Sequence, residues 1–184
     1  PAVFTIPTMF TDIGDAAFND ASALTSITIP NSVTTIGNSA FQGATSLTTV
    51  IFEENSQLTS IGDQAFYNTS ALTTINIPAS VTTIGDNAFF NARALTSIKI
   101  PANITTIGTG MFQDARALAT VIFEPDSSLN TIGANAFAQA SALTEINIPE
   151  GVTSIGASAF LSASALTEIN IPEGVTSIGA SAFQ

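Results

Sequence analysis

The chain has 184 residues, 14 acidic against three basic side chains, no cysteine and no histidine. A net charge of −11 argues against nucleic acid or an anionic membrane surface as partner. The missing thiols and imidazoles remove thiolate and imidazole metal sites and any His-based triad. With 45% hydrophobic and only 9% charged residues, the core is ample and the surface must be coated mainly by Thr, Ser, Asn and Ala.

Read from the N-terminus, the chain is one motif repeated eight times. Unit one, opening at Pro1, is atypical, with Phe4 and Phe10 where later units carry Ile and Val. The following units open at Leu24, Leu47, Leu72, Leu95, Leu118, Leu143 and Leu166, at steps of 23 or 25 residues. An Ile-Gly pair recurs at Ile13, Ile36, Ile61, Ile84, Ile107, Ile132, Ile155 and Ile178, and a Phe follows each Ile five residues later. A fixed period of roughly 20–50 residues marks a solenoid whose repeats pack chiefly on their neighbours. Residues 1–184 therefore read as one array rather than a set of domains.

Unit seven displays the local logic, and its first 18 residues recur unchanged in unit eight. Ile146 and Ile148 alternate with Glu145 and Asn147, a period-two pattern that predicts a short strand with one buried face. Pro149 ends the strand because it cannot donate to a ladder. Glu150-Gly151 makes a turn, and Val152–Ile155 forms a second short extended piece. Gly156 is expected to need either a positive φ or a close backbone approach. Phe160 then enters the core from the opposite wall, and Leu161–Ala165 returns to the next Leu as one helical or irregular turn. Strands of successive units stack in parallel about 4.8 Å apart, giving a body about 35–40 Å long. The Phe residues form one core column and the Ile pairs two more.

The order L-T-x-I-x-I-P-x-x-V-T-x-I-G-x-x-A-F resembles the BspA-like, or Treponema-type, class of leucine-rich repeat, along essentially the whole chain. The resemblance implies an α/β-type right-handed solenoid dominated by short parallel strands, with little regular helix. It also implies an extracellular or cell-surface protein, of a family often implicated in adhesion to host proteins or other cells.

A second rhythm lies above the first. Units three and six have 25 residues, and their extra length falls in Val50–Leu58 and Val121–Leu129, a three-unit period of 71 residues. Two acidic bulges result, and Glu53, Glu54, Glu124 and Asp126 are the weak candidates for calcium. Calcium needs six or more converging oxygens, and no D-x-D-x-D-G spacing is present.

A leucine-rich repeat presents its strand face to partners. Here the expected concave face carries Ser26/Thr28, Thr49/Ile51, Thr74/Asn76, Ser97/Lys99, Thr120/Ile122, Glu145/Asn147 and Glu168/Asn170. Its central part, from Thr74 and Asn76 through Ser97, Lys99, Thr120 and Ile122 to Glu145 and Asn147, is the candidate surface for a protein or glycan ligand. Arg93 and Arg116 fall in one column on neighbouring units, able to hold an anionic group or simply to pair with Asp114. Asn68 and Asn103 begin glycosylation sequons, relevant only in a glycosylating secretory route.

No nucleophile with its base, phosphate-cradling loop or cofactor motif accompanies the many Ser and Thr, so neither catalysis nor a cofactor is expected. No apolar run is long enough for membrane insertion. The start at Pro rather than Met suggests a processed product or an excerpt. The terminal repeats carry no cap, which leaves Phe4, Ile6 and Phe10 at one end and Ile169, Ile171 and Phe183 at the other as candidate self-assembly surfaces. Two functions are thus expected from the sequence: a non-catalytic adhesion or binding scaffold, or a subunit that polymerises end to end with identical copies.

Overall fold

The computed structural model describes residues 2–184; Pro1, the expected opening of unit one, lies outside them. Each unit contributes two short strands and a wall of turns, and the described residues contain no helix. The Ser/Ala-rich return is therefore irregular rather than helical.

The first strand of each unit is odd-numbered: β1 (Ala2–Thr5), β3 (Leu24–Ile29), β5 (Thr49–Phe52), β7 (Thr74–Ile75), β9 (Ser97–Ile100), β11 (Thr120–Phe123), β13 (Glu145–Asn147) and β15 (Glu168–Asn170). The second is even-numbered: β2 (Asp12–Ile13), β4 (Thr35–Ile36), β6 (Ser60–Ile61), β8 (Thr83–Ile84), β10 (Thr106–Ile107), β12 (Thr131–Ile132), β14 (Ser154–Ile155) and β16 (Ser177–Ile178). All pairings are parallel between like strands of adjacent units, for example Ile27 beside Val50 and Ile155 beside Ile178.

The alternation read from the sequence is the alternation of burial. Ile27, Ile75, Ile98 and Ile146 are buried, while Thr74, Lys99, Glu145 and Asn147 between them are exposed. The Phe column fills the opposite side of the core. Phe41, Phe66, Phe89, Phe112, Phe137 and Phe160 are buried and stack almost parallel, with centroids from 5.1 Å (Phe41–Phe66) to 5.6 Å (Phe89–Phe112).

The turn wall carries the most regular hydrogen bonding. The N–H groups of Ala16, Phe18 and Asp20 donate forward to the carbonyls of Asn38, Ala40 and Gln42 at 2.7–2.8 Å, and an equivalent trio crosses every junction to the end of the chain. This geometry needs a left-handed residue three positions after each Ile. These are Ala16, Ser39, Gln64, Asn87, Gly110, Asn135, Ser158 and Ser181, with φ between 53° and 59°.

Gly156 is not in that region. It is required by close approach instead, because a Cβ there would meet the backbone of Gly133 and Ala134. The positive φ expected near it falls on Ser158, two residues on.

Candidate functional site

The 25-residue units alter the strand face and the turn that leaves it. In ordinary units Pro30, Pro78, Pro101, Pro149 and Pro172 follow the strand and have no N–H to extend it. Units three and six carry Glu53 and Glu124 at that place. Their amides donate to Ile29 and Ile100 O at 3.0 Å, so β5 and β11 pair along four residues with the units before them. The two added residues then leave through a turn with Asn55 and Asp126 left-handed, at φ 59° and 58°.

Toward the following unit the ladder lapses. Neither β5 and β7 nor β11 and β13 are paired, and the odd-numbered strands divide into β1-β3-β5, β11-β9-β7 and β13-β15. Where the ladder does continue, Thr48, Thr96 and Ala119 donate their N–H to Thr25, Thr73 and Thr96 O of the preceding unit.

A groove opens at each lapse. The first, of about 290 Å³, is lined by Thr48–Phe52 with Thr73, Thr74 and Asn76. It adjoins a hollow of about 410 Å³ between the bulge and Asn76–Ser80. The second, of about 220 Å³, has Thr120–Phe123 on one side and Glu145, Ile146 and Asn147 on the other. In each groove an Ile stands about half-exposed, Ile51 at 47% and Ile122 at 49%.

The residues of the expected ligand surface lie on one face, divided by the two grooves. Thr74, Asn76, Lys99, Thr120, Ile122, Glu145 and Asn147 are exposed and Ser97 is half-buried. Glu145 and Glu168 lie side by side in register, as do Asn147 and Asn170.

The acidic bulges do not converge as a calcium site would. Glu124 forms an ion pair with Lys99, and a Glu53 carboxylate oxygen accepts the Asn31 N–H at 3.3 Å. Glu54 and Asp126 are exposed. Among the described residues no three acidic side chains gather in a metal-holding group. Glu124 and Glu53 are thus each turned back onto the preceding unit, toward Lys99 and Asn31 respectively.

Arg93 and Arg116 are exposed, and each is held locally. Arg116 Nη2 lies 2.8 Å from the Asp114 carboxylate, and Arg93 Nε donates to Asn91 Oδ1. Of the sequon residues, Asn103 is exposed, while half-buried Asn68 accepts from Asn91 Nδ2 at 2.7 Å.

At the ends, Phe4 and Phe10 are exposed at 45% and 49%, Ile171 and Phe183 at 36% and 41%, and Ile169 is half-buried. Ile6 departs from the expectation. It is 5% exposed, because the register of β1 turns it into the core while its N–H donates to Thr28 O.

One set of structural residues went unread in the sequence. Asp15, Asn38, Asp63 and Asp86 each accept, through Oδ1, the backbone N–H of the same position one unit later, at 2.7–2.8 Å. The signal was present as a recurring Ile-Gly-Asp/Asn triplet.

The description BspA type leucine-rich repeat region matches in six copies, over residues 3–118 and 59–184. The chain belongs to the BspA-type leucine-rich repeat family. Among solved structures, a leucine-rich cell surface protein of Faecalibacterium prausnitzii is 38% identical with a TM-score of 0.83, over 91% of this chain and 46% of that one. The Treponema pallidum leucine-rich repeat protein is 27% identical with a TM-score of 0.83, over 90% of this chain and 78% of its own. The pneumococcal vaccine antigen PcpA is 28% identical with a TM-score of 0.60, over 94% of this chain and 40% of its own. The chain thus spans less than half of the Faecalibacterium and pneumococcal proteins it resembles. No curated protein matches it. No helix among the described residues is long and apolar enough to cross a membrane.

Proposed function

We propose that this chain is the extracellular binding scaffold of a cell-surface protein, adhering to a protein or glycan ligand through its strand face. The observation that carries the reading is the strand face itself. A rigid, stacked core holds one broad exposed surface whose side chains vary from unit to unit, while the buried columns beneath stay nearly constant. Invariant columns serve the stack; a variable exposed column is free to specify a partner. The chemistry on offer is recognition: hydroxyls, amides, carboxylates and two half-exposed Ile.

The test is retention of the 184-residue chain on arrays of extracellular-matrix proteins and of glycans, repeated with substitutions on two faces. Asn76→Arg and Glu145→Arg on the strand face should abolish retention, and Thr153→Arg on the second-strand face should leave it unchanged. Loss with Thr153→Arg alone would overturn the reading.

A second reading, longitudinal assembly into a filament, is favoured by the apolar ends. Val3, Phe4, Met9 and Phe10 at one end, and Ile171, Ile178 and Phe183 at the other, are unusually exposed for large apolar side chains. Further repeats or a second copy would cover them. Electron microscopy and light scattering on these 184 residues test it: fibres with an axial repeat of about 35–40 Å support it, and a monodisperse monomer at all concentrations sinks it.

A further inference from the structure

The two 25-residue units make the same change to the strand face three units apart. Ile51, Asn76, Lys99 and Ile122 occupy one exposed column on four successive units. Ile51 and Ile122 sit at its ends, each beside the groove its own ladder lapse opens. Three strand spacings separate them, about 14 Å. Between them, Lys99 is engaged by Glu124 and Asn76 is uncharged, so nothing apolar or unpaired in charge interrupts the span.

The spacing selects the occupant. In an extended peptide alternate side chains share a face and each residue advances about 3.4 Å, so positions i and i+4 lie about 14 Å apart on one side. A helix advances about 1.5 Å per residue and would need nine or ten residues, which do not return to the same face. Charge selects further. Glu145 lines the second groove, Glu168 stands beside it in register, and the chain carries −11 overall. Lysine or arginine flanks on the peptide would meet complementary charge.

We infer that the strand face binds an extended, cationic polypeptide segment laid along the array across the strands, with aliphatic side chains at i and i+4 seated in the Ile51 and Ile122 grooves. This rests on the strand-face reading above and adds the class of partner and its spacing. Two anchors on one segment act together, because seating the first holds the second at high effective concentration.

The experiment uses fluorescence anisotropy with the full 184-residue chain and a labelled peptide, Lys-Ile-Thr-Thr-Thr-Ile-Lys. A control peptide of the same composition has its two Ile three residues apart. The i/i+4 peptide should bind at least about tenfold more tightly than the control, and Ile51→Asp or Ile122→Asp should each weaken it about tenfold or more. Ile51→Ser and Ile122→Ser, with unchanged thermal midpoints, should weaken it in the same order. Equal binding of both peptides, binding of neither, or indifference to both Ile substitutions overturns the inference. An array ligand retained by the Ile51→Asp, Ile122→Asp double variant but lost with Asn76→Arg would overturn it while leaving the strand-face reading intact.

Discussion

The Asp63 carboxylate accepts the Asp86 N–H at 2.8 Å, and the oxygen that does so lies where a side chain on Gly85 would begin. One contact therefore explains two parts of the repeating Ile-Gly-Asp/Asn signature. The acidic or amide residue satisfies a backbone donor one unit on, and Gly is the residue that lets the units close that far.

Gly85→Ala should consequently lower stability by about 1–3 kcal/mol, since the obstacle includes the Asp63 and Gly62 backbone as well as a movable carboxylate. Gly14→Ala, with nothing within 4 Å of its added carbon, should be nearly neutral. Thermal or urea midpoints of the two variants give the comparison. Equal losses would show that the glycines serve conformation rather than approach.

The left-handed position after each Ile permits the opposite kind of change. Gln64 holds φ 56°, where a side chain is strained and Gly is not. Gln64→Gly should raise stability by about 0.5–1 kcal/mol, the relief being partly offset by the greater freedom of Gly in the unfolded chain. Gly110→Ala at the equivalent place should lower it, because its added carbon also meets Asn87 Oδ1. Urea titration monitored by circular dichroism resolves both signs.

Depth along the Phe column should set the cost of truncation. Phe112 is fully buried between Phe89 and Phe137, and Phe112→Ala should cost about 3–5 kcal/mol. Phe183, 41% exposed with one stacked neighbour, should cost about 1 kcal/mol or less when cut to Ala. Hydrogen exchange should place the Phe112→Ala loss first in the amides of its adjoining units, as expected where each repeat is stabilised by its neighbours.

Acid should act through Asp12. Hydrogen bonds from Thr35, at 2.6 Å, and from Thr11, at 2.8 Å, hold its carboxyl below the ordinary carboxylate range. A folded-state value below the unfolded one contributes stability above the unfolded value of about 4, and that contribution is lost as pH falls through the folded value. Asp12→Asn should therefore be the less stable protein at pH 6, and the difference should shrink toward pH 3. Urea midpoints across that range check it; a gap that widens on acidification would reverse the assignment.

Much of the fold was legible because a solenoid repeats its instructions. Ile146 and Ile148 alternating with Glu145 and Asn147 named a strand, and seven further copies of the pattern fixed its register. Phe160 five residues after Ile155 named the facing column. Less legible were features that depend on how two neighbouring units differ. That the β5–β7 and β11–β13 ladders lapse follows from replacing Pro by Glu53 and Glu124 and lengthening the exit by two residues. The replacement was visible, but its effect falls on the following unit. The positive φ on Ala16 and Gln64 carried no sequence mark, since neither residue type favours it. Ile6 was misplaced because a terminal strand was treated as wholly exposed, although its inner face still meets unit two.

The three walls do not break at the same places. The first-strand ladder is cut after the third and sixth units, and the second-strand ladder is cut between β8 and β10, one unit away from the nearer of those cuts. Only the turn wall runs through every junction. The seams are staggered like courses of brick, with an unbroken strap along one side. A pull along the array finds no plane at which all its bonds can part together. The two strand-face seams coincide with the two grooves, so each groove has one wall on either side of a seam that no ladder bond crosses.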